Sequence, residues 1–161
     1  MKPVANTLDA AAKWLSSTSN RTFVAWPAVL VLAEAVLQDG VPYIDPWGLP
    51  LLAWGYLQYR LVGNYRLREG GGGPGIFPPP RRLVIAGPYR YCRNPMYLGH
   101  LVFLAGLALA LRSWPALVVL AFHAAWFQRR VRADEARLVQ QFGEPYREYL
   151  AGVKRWIPGV L

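Results

Sequence analysis

The sequence predicts an all-α integral membrane protein with about four transmembrane helices, the last two of which form a tight helical hairpin. The chain has 161 residues, which is room for one domain, and 54% of them are hydrophobic. The apolar residues concentrate in four blocks, and none of these has the polar face of a soluble amphipathic helix. The net charge of the connections changes sign from one block to the next. Together these observations are typical of a helical bundle embedded in a membrane.

The first two blocks have the length of membrane-spanning helices. They cover residues 22–38 and 46–62. At about 1.5 Å rise per residue, about 17 residues extend about 26 Å, close to a bilayer core of about 30 Å. A cleavable signal peptide is the alternative for the first block, because Ala-Glu-Ala at residues 33–35 resembles a cleavage site, but the polar residues 1–21 and the later blocks favour a retained span. We expect the carboxylate of Glu34 to reach the membrane interface.

The last two blocks are separated by only two residues. They cover residues 96–111 and 114–127, so Arg112 and Ser113 form the whole connection. Ser113 is a typical helix N-cap, and the proline two positions later suits a first helical turn. The pattern therefore predicts a tight hairpin of two antiparallel helices.

The charges of the connections predict the topology. Residues 1–21 carry a net charge of +2, residues 39–45 carry −2, residues 60–93 carry +6 and the tail from residue 129 carries +3. This alternation follows the positive-inside rule and places both termini and the long third connection in the cytoplasm. The total of +9 is compatible with nucleic-acid binding, but its division between apolar blocks argues against a nucleic-acid module. If the source is bacterial, we expect the inner or plasma membrane.

A single domain, residues 1–161, is expected to contain all of these parts. They are an amphipathic leader, two membrane spans, a cytoplasmic loop, the helical hairpin and a cytoplasmic C-terminal cap, at residues 1–21, 22–62, 63–95, 96–127 and 128–161. The glycines of residues 70–75 lack the strand, the helix and the Lys-Ser/Thr ending of a phosphate-binding loop. They indicate a flexible linker instead.

Residues 87–99, Gly-Pro-Tyr-Arg-Tyr-Cys-Arg-Asn-Pro-Met-Tyr-Leu-Gly, lead into the third block. Asn94 and Pro95 predict the start of a helix, as its cap and its first turn. Arg93, Tyr97 and His100 follow at spacings of four and three, so they share one face of that helix. The sequence thus predicts a polar site at the mouth of the membrane.

The chain's two histidines and its single cysteine predict no metal site. His100 and His123 lie at similar depth in the two arms of the hairpin, and we expect a hydrogen bond between these helices. Two histidines are too few for a metal centre. Cys92 has no acid or histidine beside it to lower its pKa, so we interpret it as a reduced bystander.

The fourth helix is predicted to continue out of the membrane. Apolar positions recur at helical spacing until Gly143, and Glu144 then opens a second, short helix. Asp134 and Glu135 are adjacent on the longer helix and point to different sides. We expect one carboxylate to face the hairpin mouth and the other to be solvated.

These residues resemble a known family of membrane enzymes. The resemblance rests on three runs: R-L-V-I-A-G-P-Y-R-Y-C-R-N-P-M-Y-L-G, then A-D-E-A-R-L-V-Q-Q-F-G-E-P-Y-R-E-Y, then V-K-R-W-I-P. They are similar to the isoprenylcysteine carboxyl methyltransferase and phospholipid methyltransferase superfamily, which includes the phosphatidylethanolamine N-methyltransferases. The resemblance covers residues 77–158, about half of the chain.

The resemblance implies S-adenosylmethionine as cofactor, bound at the cytoplasmic end of the last two helices and capped by the loop and the C-terminal helices. The resemblance and the chemistry of the side chains together assign eight residues to cofactor binding: Tyr89, Arg93, Asn94, Pro95, Tyr97, Gly99, His100 and Glu135. The candidate catalytic residues are Glu135, Arg93 and His100. The chain departs from the family pattern at Asn94, where carboxyl methyltransferases usually have histidine, and at Asp134, where the pattern has glutamate. The departure at Asn94 weakens the expectation of an isoprenylcysteine substrate.

The chemistry of these residue types suits that cofactor. A sulfonium cation, an adenine and an amino-acid carboxylate require aromatic faces, an acid and cationic or amide donors, which the tyrosines, Glu135, Arg93 and Asn94 offer. No covalent nucleophile is needed. A carboxylate acceptor needs a positive partner, for which Arg93 or Arg129 would serve, whereas an amine acceptor needs a base, either Glu135 or a histidine. The residues leave both acceptors open.

The expected partner is a lipid or prenylated small-molecule acceptor in the bilayer, not a nucleic acid. Two other functions stay open. The C-terminal half also resembles membrane sterol reductases, which use a nicotinamide cofactor but have longer chains with more spans. A non-catalytic membrane scaffold of the same fold is the second. The sequence predicts no oligomeric state.

Overall fold

The computed structural model describes residues 3–71 and 80–156, with side chains from residue 9 onward. Within these ranges the chain is helical and contains no strand. The helices are α1 (Pro3–Ser16), α2 (Thr18–Leu37), α3 (Leu49–Gly70), α4 (Pro95–Leu111), α5 (Trp114–Phe142) and α6 (Glu144–Gly152). The all-α prediction is confirmed. The glycine-rich linker lies largely outside the described residues.

Helix α2 starts four residues before the first apolar block. Ser17 precedes it, and the Ser17 hydroxyl accepts a hydrogen bond from the backbone N–H of Asn20 at 3.5 Å. Residues Arg21–Ala25 form a π-helical turn within α2. Such turns contain an extra residue per turn and are frequent at functional sites. The wider turn changes the angular spacing of the side chains it carries, among them Arg21 and Phe23.

Helices α3 and α4 pack closely through glycines. A Cβ atom on Gly99 would lie 2.9 Å from the carbonyl oxygen of Gly55 and 3.0 Å from the backbone nitrogen of Tyr59. A Cβ atom on Gly55 would meet the backbone of Phe103, and one on Gly106 would lie 2.7 Å from the backbone nitrogen of Leu52. Small residues permit such backbone approach in membrane helix pairs. The role of Gly99 in the structure is therefore to let α4 pack closely against α3.

The predicted hairpin is confirmed in its local detail. Helix α4 ends at Leu111, Arg112 adopts a left-handed conformation (φ 47°), and α5 begins at Trp114. The Ser113 hydroxyl accepts a hydrogen bond from the Ala116 backbone N–H at 3.1 Å, as expected of an N-cap. Helix α5 then runs without interruption for 29 residues to the stop at Gly143, where α6 follows.

The hairpin turn is fastened to the connection between α2 and α3. The Arg112 guanidinium donates from Nε (2.9 Å) and Nη2 (2.7 Å) to the same carboxylate oxygen of Asp45. Asp45 also caps the short 3₁₀ turn Pro46–Gly48 by accepting from the Trp47 N–H, and its own N–H donates to the Ala110 carbonyl at 2.6 Å. This end of α4 is therefore closed by a local network.

Among the described helices, α2 is the one that is both long and apolar enough to cross a membrane. Helix α4 is apolar but has only 17 residues, while α3 and α5 each combine an apolar half with a charged half. The four-span arrangement stays a prediction. Glu34 differs from expectation: its side chain is 5% exposed, because it packs inside the bundle and accepts a hydrogen bond from Gln38 at 2.9 Å.

Candidate functional site

A cavity of about 550 Å³ lies at the end of the bundle where α4 begins and where α5 extends beyond its partner. Its walls come from the turn between α1 and α2, the second half of α3, the loop before α4, and helices α4, α5 and α6. A volume of this size is typical of sites for small molecules or cofactors. Every wall contributes polar side chains.

The loop before α4 delivers Tyr89 to the cavity. It contains a short 3₁₀ turn, Gly87–Arg90, in which Gly87 has a φ of 59° and a Cβ atom would lie 2.6 Å from the Tyr65 ring. Glycine is required there on both counts. The carbonyl of Tyr89 accepts a hydrogen bond of 2.6 Å from the hydroxyl of Tyr149 on α6. Burial raises the pKa of Tyr89, so its hydroxyl is neutral at physiological pH.

The C-terminal segment after α6 pairs with the same loop. The Arg93 N–H donates to the Lys154 carbonyl at 3.0 Å, and the Arg155 carbonyl accepts from the Asn94 side chain at 3.3 Å and from the Cys92 thiol at 3.5 Å. Asn94 thus precedes α4 without capping it through its side chain. Burial raises the pKa of Cys92, which agrees with the interpretation of this thiol as a bystander.

Glu135 forms the charged centre of the cavity wall. Arg155 donates to both of its carboxylate oxygens, at 2.6 and 3.1 Å, and the Arg93 Nε lies 3.4 Å from one of them. The hydrogen bond to Glu135 raises the pKa of Arg155. Arg93 donates from Nη1 to the Leu150 carbonyl at 3.1 Å, but its buried Nε has no hydrogen-bond partner among the described residues. The cluster therefore holds two guanidinium groups against one carboxylate.

Asp134 also faces the cavity, so the expectation that one of the paired acids would be solvated is wrong. Its carboxylate accepts from the Tyr97 hydroxyl at 3.2 Å and from Arg137 at 2.9 Å. The Tyr97 hydroxyl in turn accepts from the Arg130 Nε at 3.1 Å. Both acids reach the same space because the cavity wraps around this part of α5.

The two histidines have separate environments, and the expected hydrogen bond between their helices is not formed by them. His100 is 2% exposed, lines the cavity and stacks on the Phe23 ring, with centroids 4.7 Å apart. Its Nδ1 has no hydrogen-bond partner among the described residues. His123 lies outside the cavity lining, and its Nδ1 bonds to the Val119 carbonyl of its own helix at 2.9 Å.

The structure brings six of the eight predicted cofactor-binding residues to the cavity. These are Tyr89, Arg93, Asn94, Tyr97, His100 and Glu135. Pro95 and Gly99 are not in the lining. Pro95 starts α4, and its carbonyl accepts a hydrogen bond from Gln58 at 2.9 Å, while Gly99 faces α3 and permits the close packing described above.

Several lining residues were missed by sequence reasoning. Arg129 was considered as a cationic partner, but the residue that lines the cavity is its neighbour Arg130. Tyr146 and Tyr149 of α6 also line the cavity, although sequence reasoning assigned them no role in the site. Burial raises the pKa of Tyr146 to about 12, so it is a neutral donor. Arg155 lies within the quoted V-K-R-W-I-P run, which was the available signal for it.

Comparisons with known proteins match this chain to one family model and to two curated proteins. The phospholipid methyltransferase family model matches residues 64–144. A protein-S-isoprenylcysteine O-methyltransferase of Dictyostelium discoideum is 34% identical over 80 residues, covering 48% of this chain and 33% of that protein. The protein of the same name from Schizosaccharomyces pombe is 32% identical over 78 residues, covering 47% and 33%. The matches thus span about a third of the length of each relative.

Proposed function

The chain belongs to the phospholipid methyltransferase family, and we propose that it is an S-adenosylmethionine-dependent enzyme that methylates a lipid or isoprenoid-linked acceptor in a membrane. The acceptor group is either a phospholipid amine or a carboxylate like that of a prenylated cysteine. Support comes from one observation above all. The motif residues Arg93, Asn94 and Tyr97 line the same cavity as Glu135, which lies on a different helix and far from them in the chain.

The residues of the cavity fit S-adenosylmethionine. The Arg93 guanidinium lines the cavity, and the carboxylate that it faces, Glu135, is shared with Arg155, so the pair of guanidinium groups keeps positive charge that can bind the carboxylate of the cofactor's amino-acid moiety. The Asn94 side chain lines the cavity beside it. The rings of Tyr89 and Tyr97, both in the lining, offer faces for a cation or an adenine. The buried carboxylate of Glu135 holds Arg93 and Arg155 in position at the wall of the cavity.

When bound, the cofactor supplies a methyl group on a sulfonium, which is a good leaving group without further activation. The work of the protein is then to align the acceptor and to exclude water, effects worth several kcal/mol. The hydrogen bond between Tyr149 and Tyr89 and the pairing of Lys154 and Arg155 with the loop tie α6 and the C-terminal segment to the loop that lines the cavity. We assign the exclusion of water to these contacts.

Glu135 is better suited to holding charge than to accepting a proton. Both of its oxygens accept from Arg155, and Arg93 lies beside them, so a proton would have to displace existing interactions. For an amine acceptor, the His100 Nδ1 is the alternative base, because it lines the cavity and has no partner in the described chain. A carboxylate acceptor would need neither group as a base.

Membrane insertion is part of the proposal. Large apolar side chains are exposed along α2, the first half of α3 and the first half of α5, among them Leu32, Val36, Trp54, Leu117 and Phe122. An apolar surface of this extent is unusual for a soluble monomer. Together with the charge alternation of the connections, it supports a bundle in the bilayer with the cavity and both termini on the cytoplasmic side.

The test combines cofactor binding with product identification. The detergent-purified chain is expected to bind S-adenosylmethionine and S-adenosylhomocysteine in calorimetry, and Tyr97→Leu, which removes the aromatic face, is expected to weaken that binding. Membranes containing the protein and radiolabelled S-adenosylmethionine are then separated into lipid and protein fractions. Label in lipid supports a phospholipid acceptor, and label in protein supports a prenylcysteine acceptor. Absence of binding of either compound would overturn the proposal, and binding of NADPH instead would indicate a reductase.

A further inference from the structure

One wall of the cavity comes from a segment that precedes the family-matched residues 64–144. Five consecutive polar residues, Ser16, Ser17, Thr18, Ser19 and Asn20, line the cavity at the turn between α1 and α2. The turn is held in place on both sides. The Ser19 and Tyr59 hydroxyls share a hydrogen bond of 2.6 Å, and the Asn20 side chain donates to the Trp14 carbonyl at 2.9 Å.

The π-helical turn that follows connects this wall to α5. Arg21 donates from Nη1 to the carbonyls of Leu15 (2.9 Å) and Ser16 (3.3 Å), and its guanidinium lies 5.4 Å from the centroid of the Trp126 ring. The guanidinium of Arg130 lies 5.1 Å from the same centroid. One indole therefore contacts two cations, one from the N-terminal wall and one from the cavity lining.

Arg130 lines the cavity but differs from Arg93 and Arg137 in its lack of an acidic partner among the described residues. Arg93 pairs with Glu135 and Arg137 pairs with Asp134, whereas Arg130 forms no ion pair with any carboxylate in residues 9–71 and 80–156. Its Nε donates to the neutral Tyr97 hydroxyl. Within the described residues its guanidinium thus lines the cavity without a direct ion pair, and the Tyr97 hydroxyl links it to Asp134.

The cavity contains a second group whose polar capacity the described chain does not satisfy. The His100 Nδ1 is buried and has no hydrogen-bond partner, and the His100 ring packs 4.8 Å from the Tyr59 ring, which bonds to the N-terminal wall. A buried polar atom without a partner costs stability unless a ligand or water satisfies it. Ser19, Tyr59, His100 and Arg130 therefore line a polar space that contains one cation without a direct ion pair and one buried nitrogen without a hydrogen-bond partner in the described chain.

We propose that Arg130 and the hydroxyls of residues 17–19 form the subsite that binds the anionic group of the acceptor's head, and that Arg21 positions Arg130 through Trp126. This inference rests on the proposed methyltransferase function. The anion is the phosphodiester of a phospholipid or the carboxylate of a prenylated cysteine, both of which are attached to an apolar tail. Arg130 is the binding residue, and Arg21 is a positioning residue that does not contact the acceptor.

A binding experiment tests the subsite without relying on catalysis. The full chain in an uncharged detergent, with S-adenosylhomocysteine present, is titrated with dodecyl phosphate and with dodecanol. We expect the wild type to bind the phosphate at least tenfold more tightly, Arg130→Gln to lose that difference and Arg130→Lys to keep part of it. The matched control is Arg132→Gln, an exposed arginine on the same helix outside the cavity lining, which is expected to match the wild type. Equal binding of dodecyl phosphate by the two glutamine variants would overturn the proposal.

Methyl-transfer kinetics identify the source of the anion and test Arg21. Phosphatidylethanolamine and S-farnesylcysteine are compared as acceptors. For whichever is methylated, we expect Arg130→Gln to raise KM at least tenfold with kcat within about threefold and unchanged affinity for S-adenosylhomocysteine. Arg21→Gln should raise KM about threefold, with partial recovery in Arg21→Lys, since lysine keeps the charge over Trp126. A loss confined to kcat in these variants would contradict the subsite. A wild type that fails to bind S-adenosylhomocysteine would refute the proposed function instead.

Discussion

Two arginine–carboxylate clusters lie at opposite ends of α4, and their surroundings differ. At the hairpin turn, Arg112 donates twice to Asp45, and the Trp47 N–H donates to the same carboxylate. The Arg112 side chain is 65% exposed and contacts the Tyr43 ring at 5.0 Å. One cation meets one anion there, and the Asp45 side chain is only 7% exposed. This cluster joins the hairpin turn to the connection between α2 and α3 and pairs both of its charges.

At the other end, Glu135 lies between Arg93 and Arg155, with side-chain exposures of 10%, 12% and 24%. Two cations share one anion, and one buried guanidinium nitrogen has no hydrogen-bond partner among the described residues. The cluster lines a cavity and is covered by α6 and the segment that follows it. It retains charge and donor capacity that a ligand could use.

The comparison shows that an ion pair alone does not indicate function. Exposed pairs contribute about 0–1 kcal/mol, whereas removal of one partner from a buried pair costs about 3–5 kcal/mol because the other charge is left uncompensated. The carboxylates of both clusters are buried, and the distinguishing features of the Glu135 cluster are the burial of its guanidinium groups, its surplus positive charge and an adjoining cavity. Substitutions at the two ends should therefore give different patterns of loss.

Glu135→Gln is expected to have the largest effect. It leaves Arg93 and Arg155 buried without a counter-charge, so we expect affinity for S-adenosylhomocysteine to fall at least tenfold and methyl transfer about a hundredfold. Thermal stability should fall as well, by an amount on the order of 3 kcal/mol. Calorimetry, a radiolabelled methyl-transfer assay and thermal denaturation in detergent measure the three effects.

Glu148→Gln is the matched control for that variant. Glu148 is an exposed residue of α6 outside the cavity lining, and the substitution removes the same charge. It should behave like the wild type in all three measurements. If the Glu135→Gln protein bound S-adenosylhomocysteine as tightly as the Glu148→Gln protein, the Glu135 cluster would have a purely structural role, like the Asp45 cluster.

The fold was predictable where local chemistry decides it. Ser113 as a cap, Gly143 as a stop and the short connection between two apolar blocks define the hairpin and its extension, and each acts within a few residues. The burial of Glu34 was not predictable, because it depends on which face of α2 meets the bundle. Span number could not be settled either, since α3 and α5 mix apolar and charged halves within one helix.

Only the residues of the site that belong to the sequence motifs were predictable. Arg93, Tyr97 and Glu135 are recognisable from residue type and spacing. The contact of Arg155 with Glu135 and the position of the hydroxyl-rich turn at the cavity depend on packing between distant segments. Gly99 shows the opposite error. A glycine in a motif suits both ligand approach and helix packing, and only the structure shows that its open side faces α3. Tertiary placement, not residue chemistry, was the missing information.

Arg155→Gln is expected to have the second-largest effect. It removes both hydrogen bonds to Glu135 but leaves Arg93 beside the carboxylate, so we expect about a tenfold loss of affinity for S-adenosylhomocysteine. Arg155→Lys should recover only part of it, because an ammonium group cannot donate to both oxygens with the same geometry. The control is Arg147→Gln, which breaks an exposed pair with Glu144. Equal calorimetric affinities for the Arg155→Gln and Arg147→Gln proteins would remove Arg155 from the site.

Asp45→Asn should affect stability but not the site. It weakens the fastening at the hairpin turn, but the Arg112 side chain that it leaves without a counter-charge is 65% exposed. The melting temperature is therefore expected to fall by less than in Glu135→Gln, with methyl transfer and cofactor affinity within about twofold of the wild type. Asp39→Asn is the control, because Asp39 is exposed with a φ of 52°, a conformation that asparagine tolerates. A loss of cofactor affinity comparable to that of Glu135→Gln would mean that the two ends of α4 are coupled.

The pH dependence of the Asp45 fastening is the smallest expected effect. The hydrogen bond from the Trp47 N–H, followed by the Arg112 side chain, lowers the pKa of Asp45 below its ordinary value of 3.8. A carboxyl whose pKa is lower in the folded state than in the unfolded state stabilises the fold fully when the pH is above its unfolded-state pKa. This stabilisation is lost as the pH falls through the folded-state pKa. The difference in melting temperature between wild type and Asp45→Asn should therefore be constant from about pH 7 to about pH 5 and shrink below about pH 4. If the difference already disappeared near pH 6, a group other than Asp45 would control this end of the bundle, and the contrast between the two clusters would have to be drawn differently.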